Sequence, residues 1–120
     1  MIVRLSTGTL LVKFFKKPVV VLDEGVTVQW NSQTNAITTT PFTKEVEVIR
    51  TCCLIEILNI KNEWEKIGFG ASVQSPRDVY NSRVGKKWAL RRAMADAGIT
   101  SKEDRTYIWR QFANEFGGFR

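Results

Sequence analysis

Three basic residues spaced four apart, Arg83, Lys87 and Arg91, carry the clearest chemical signal in this 120-residue chain. On a helix that spacing lines them along one ridge, roughly one turn or ~5–6 Å between neighbours, close to the phosphate spacing of a nucleic-acid strand. Lys86, Arg92 and Arg77 lie near enough in sequence to assist, and Trp88 and Tyr80 can stack on bases where they are exposed. The segment from Ser75 to Ala97 holds +4, whereas the much longer remainder, with 12 basic and 10 acidic residues, holds +2. Charge concentrated in this way suits an anion-facing surface. The plainer alternative is a solvated helix face balanced by acids elsewhere in the fold.

Other chemistry has less to work with. The chain has no histidine, so the usual general base and nucleophile activator are missing, and zinc ligation by Cys and His is excluded. Gly68-Phe69-Gly70 lacks the third glycine and the following helix of a dinucleotide fingerprint, and the acidic residues are dispersed. The expectation is a protein that is not an enzyme, with no metal and no cofactor. Cys52 and Cys53 are adjacent; in a strand they point to opposite faces, out of reach of one another, and read as small buried hydrophobes.

Two kinds of element must position the ridge. Residues 1–74 read as β structure. Thr9–Lys16 and Val19–Leu22 form strands separated at Pro18, and Asp23-Glu24-Gly25 reads as a turn. Val26–Trp30 alternates as a half-buried strand, Asn31–Asn35 is a hairpin loop, Ala36–Thr40 returns, and Pro41 interrupts. Beyond Arg50 both parities of the next strand are apolar, the pattern of a central strand covered on both sides. After a loop at Asn59–Glu65, Ile67, Phe69, Ala71 and Val73 share one face of a last strand, and Gly68 and Gly70 on its other face mark a close backbone approach or a bulge.

Residues 75–120 read as helical. Ser75-Pro76 is a helix start, with a break expected near Asn81-Ser82 and a stop at Gly98. Val84, Trp88 and Ala95 form one apolar stripe of this helix, and Ala89, Leu90, Ala93 and Ala97 form a second, which predicts a helix wedged between the sheet and its successor. A capping box at Thr100–Glu103 opens the last helix, whose stripe is Ile108, Trp109, Phe112, Ala113 and Phe116, with Tyr107, Arg110 and Asn114 opposite. Arg105 sits within that stripe, placed to stack on Trp109 or pair with a buried carboxylate. The expected architecture is α+β in a single domain: an antiparallel sheet of five to seven strands over the N-terminal two-thirds, then two helices packed on one face. No run approaches the ~20 apolar residues of a membrane span, and no signal peptide is recognisable, so a cytoplasmic protein is expected.

Ser75-Pro76-Arg77-Asp78, then Asn81–Ala93 with its Arg-x-Gly-Lys-Lys-x-Ala-Leu-Arg-Arg-Ala run, then Arg105-Thr106-Tyr107-Ile108-Trp109, resembles a group of small bacteriophage-encoded proteins. The resemblance covers about residues 67–112 and attaches no activity; what it implies is a phage gene product acting inside a bacterium. Function is then expected to be binding. The partner is either nucleic acid or the acidic surface of a bacterial host or defence protein, the latter making the chain an anti-CRISPR-like inhibitor. A virion or assembly component is a further alternative.

Overall fold

A computed structural model describes residues 1–76 and 79–117. It is α+β, with a four-stranded antiparallel sheet in the order β1-β2-β3-β4, followed by two helices that contact the sheet. The strands are β1 (Ile2–Leu5), β2 (Gly8–Asn31), β3 (Ala36–Leu58) and β4 (Trp64–Val73); the helices are α1 (Ser82–Asp96) and α2 (Lys102–Phe116).

The strand number is lower than the sequence reading because β2 and β3 run straight through every expected interruption. Ile49 donates its N–H to Gln74 Oε1 (3.2 Å) and accepts from the Gln74 amide (3.1 Å), so its backbone groups point away from β2. Its partner Pro18 therefore sits in a non-hydrogen-bonded pair, where the missing donor faces outward. The β2–β3 register continues without irregularity, so Val26↔Pro41, an even number of pairs further on, has the same geometry. Neither proline removes a ladder bond. Asp23-Glu24-Gly25 is also no turn: Asp23 lies opposite Lys44, and the Phe42 ring covers Gly25. The real turn is at the tip, where Asn31 Oδ1 accepts from the Gln33 and Thr34 amides (3.0 and 3.4 Å) and Asn35 takes φ 54°.

Only residues 8–17 and 50–58 of this hairpin have a third strand beside them. Residues 18–49 leave the body as a two-stranded arm, about 46 Å long at ~3.3 Å per residue, within a molecule measuring 76 × 29 × 21 Å.

Both helices lie on one face of the sheet. The core joins Val3, Leu10, Val12, Cys53 and Ile55 to Ala89, Leu90, Ala93 and Met94 of α1 and to Ile108 and Phe112 of α2. Gly68 and Gly70 let α1 settle directly on β4: a Cβ at Gly70 would stand 2.3 Å from the Ala89 carbonyl oxygen. The opposite face of the sheet carries Phe15 over Cys52, with Phe69 and Leu54 beside it, and no described element covers it. The expected cover on both sides of β3 is thus present on one side only, since α1 and α2 share a face.

The helix ends differ in part from the sequence reading. Asn81, and not Ser75, caps α1, accepting from the Val84 amide at 3.1 Å. The C-terminus follows expectation: Gly98 at φ 73° lets the Ile99 amide reach the Met94 carbonyl (3.0 Å). Ser101 caps α2 onto Asp104, one residue beyond the expected box. Ile108 and Phe112 are buried, Trp109 and Phe116 pack on the core, and Arg105 is exposed.

Candidate nucleic-acid interface

α1 is held in rotation as well as in height. Arg92 Nη1 donates to the Ala71 carbonyl, and Asp96 Oδ2 accepts from the Phe69 amide at 2.9 Å. These two groups belong to the outer edge of β4, so the same contacts that orient the helix also satisfy an exposed strand edge. Ser72 Oγ donates to the Gly85 carbonyl (2.8 Å) and fixes the first turn against the sheet, where a Cβ on Gly85 would meet Thr51 Oγ1 at 2.6 Å.

With α1 so placed, Arg83, Lys87 and Arg91 come out as an exposed row. Trp88 is 44 % exposed, and the guanidiniums of Arg91 and Arg92 lie over its ring at 5.4 and 5.9 Å. Those residues follow Trp88 by three and four positions, which places them beside it on the helix surface. Val84 is exposed next to Trp88. The stripe that was expected to wedge against α2 therefore faces solvent, because Ala89, Leu90, Ala93 and Met94 supply the whole of the buried side.

The remaining members are distributed differently. Lys86 lies on the other flank, its Nζ 4.4 Å from the Phe116 ring centroid and 6.0 Å from that of Phe14, bridging α2 to the sheet. Arg92 divides its guanidinium between Ala71 and Trp88. Arg77 lies outside the described residues.

Electrostatics reinforce the row. The first turn of α1 holds no acidic residue, and Arg83, Lys86 and Lys87 crowd the helix end that already carries the positive pole of the macrodipole. Excluding the arm, the body has 17 basic and 8 acidic residues, a net +9, and the arm is −3. The arm's negative charge is what hides this polarity in the overall +6.

Beside Trp88, at the start of α1, a cleft of about 250 Å³ is lined by Ile49, Thr51, Gln74, Tyr80, Asn81 and Val84 among others. The Tyr80 hydroxyl is closed off there without a hydrogen bond of good geometry, and Lys16 Nζ stands 5.1 Å from its ring centroid. Burial pushes this phenol up, but Thr51, Ser82 and the Lys16 ammonium around it outweigh burial and hold it below the ordinary value. Both cysteines are free and buried on opposite faces of β3, and burial pushes the Cys53 thiol up to about 12.

Among the described residues no three His, Cys, Asp or Glu side chains gather as metal ligands, and no helix is long and apolar enough to cross a membrane. What sequence reasoning missed is the pairing of Trp88 with two arginines, although their spacings of three and four signal it once the helix phase is known.

Comparison with protein-family models, curated proteins and solved structures finds no match to this chain.

Proposed function

We propose that this chain is a non-catalytic nucleic-acid-binding protein that holds a phosphate backbone along Arg83, Lys87 and Arg91 and stacks a base against the Trp88–Arg91–Arg92 cluster. The observation that carries this reading is the half-exposed Trp88 with two guanidiniums over its ring, set beside an exposed basic row on a helix whose first turn holds no acidic residue. Aromatic and guanidinium planes accept any base, while the row of cations tracks the backbone, a combination suited to single strands. Lys86 adds to the local potential from the far flank.

The test is titration of a labelled single-stranded oligonucleotide across a salt series. Each phosphate contact removed by Lys87→Ala or Arg91→Ala lowers the slope of log affinity against log salt by about 0.7. Trp88→Ala weakens binding by ~1–3 kcal/mol and leaves that slope unchanged. Affinity and slope that stay at wild-type values in both the ridge variants and Trp88→Ala would sink the proposal.

The apolar lining of the adjacent cleft, Ile49 and Val84, favours a second reading in which this flank meets an acidic protein surface. A stoichiometric bacterial protein retained after nuclease treatment and high salt distinguishes that inhibitor-type function.

A further inference from the structure

The arm presents two unlike faces. Val20, Leu22, Val26, Val28, Trp30 and Ile37 are each 57–68 % exposed, and the β2–β3 register puts all six on one face. The other face keeps Val19, Val21 and Val46 half-buried and Val48 buried. The exposed stripe shares its face with Glu24, Glu45 and Glu47 and with no basic residue. A two-stranded ribbon with no further layer is marginal in water, and this one exposes large side chains along its whole length.

The body carries the counterpart. Its uncovered sheet face exposes Phe15 (46 %) and Phe69 (39 %). The register places Arg4, Lys13, Lys17, Arg50 and Lys66 on this face with a single acid, Glu56, which Lys13 pairs at 2.7 Å. Lys17 lies directly opposite Arg50, a like-charge pair that is unfavourable unless an acid is supplied. Glu47, Glu45 and Glu24 occupy positions spanning four residues of strand, about 13 Å, the same length that separates Lys13 from Lys17.

We infer that the arm of one copy packs, as a second sheet layer, onto the uncovered face of another copy of this chain. The charges are complementary, −3 against +4, and both surfaces are pleated and apolar, as sheet-on-sheet packing requires. The arm's exposed stripe is on the helix-bearing face, whereas the receiving surface is the opposite one. The contact is therefore heterologous, arm to back, and propagates into a ring or a filament. It leaves α1 free, so this surface and the nucleic-acid ridge work independently.

Two variants, both on exposed or partly exposed positions, separate the halves of the contact. Glu45→Lys with Glu47→Lys spoils the arm and spares the receiving face; Lys17→Glu with Arg50→Glu does the reverse. By sedimentation of nuclease-treated protein at low salt, wild type is expected to grow in mass with concentration, and each variant to run as a monomer. In an equimolar mixture the unchanged arm of the second variant meets the unchanged face of the first, and the reversed charges of the first variant's arm meet the reversed charges of the second variant's face, so the mixture is expected to regain assembly that neither variant shows alone. Leu22→Ser with Val28→Ser, which leaves every charge in place, is expected to lose assembly as well. Wild type that stays monomeric up to ~100 µM, where a micromolar Kd would be saturated, overturns the inference; so does an arm variant that assembles as wild type does.

Discussion

Gly70→Ala tests the seating of α1, on which both the core and the basic ridge depend. The added Cβ would lie 2.3 Å from the Ala89 carbonyl oxygen and from the Ala93 amide nitrogen, and 2.8 Å from the Arg92 carbonyl carbon. Ordinary contact begins at 3.4 Å, so the helix must rise by about 1 Å. All three obstacles are backbone atoms of a capped, packed helix, and none can turn aside as a side-chain tip would. Overpacking of this kind costs about 1–3 kcal/mol, and a backbone obstacle places it at the upper end. At ~4 °C per kcal/mol for a chain of this size, Tm should fall by ~10 °C. Thermal and urea unfolding followed by far-UV circular dichroism measure it. Gly25→Ala is the matched control, because its Cβ would meet Phe42 Cζ at 2.4 Å, as short a distance, but that ring ends a flexible side chain on the arm. It should stay within ~0.5 kcal/mol of wild type. If Gly70→Ala is as stable as wild type, or if Gly25→Ala falls equally far, the close approach of α1 to β4 is wrong.

Asn81→Ala removes the side-chain acceptor for the Val84 amide and should lower stability by ~1 kcal/mol; no loss in urea unfolding would mean that the helix starts elsewhere, at Ser75 for instance. Neither Cys52 nor Cys53 should react with a thiol reagent at neutral pH until denaturant is added, since both are buried; rapid labelling of the native protein would contradict that placement. The Cys53 pKa lies above its unfolded value of 9.0, so its contribution to stability is fully present below pH 9 and is lost as pH rises from there toward about 12. Melting temperature measured across that window should decline, and Cys53→Ala should make the decline shallower.

The order of elements was legible in the sequence because it rests on short-range chemistry. Alternation marked the strands, Asn31–Asn35 marked the hairpin tip, Gly68 and Gly70 marked a close approach, and Gly98 marked the end of α1. Arg83, Lys87 and Arg91 were legible as a row because a helix of any orientation keeps residues four apart in line. Whether that row faces water, and which flank Trp88 and Lys86 occupy, depends on the rotation of α1. Contacts with distant residues set that rotation, through Arg92 to Ala71 and Asp96 to Phe69.

Sequence alone therefore determined the β-then-α order, the turn at the tip and the spacing of the basic residues. Tertiary structure decided the rest. Pro18 and Pro41 read locally as breaks, yet whether a proline breaks a strand depends on whether its nitrogen faces the partner, and that is a property of register. Ser75-Pro76 is as good a helix start as Asn81, and packing of Gly85 against Thr51 and Ser72 selects between them. The doubly apolar β3 called for cover on both faces, but only the packed chain shows that both helices chose the same one. Burial is a relation between surfaces, so a single strand can state the need for a cover without stating what supplies it.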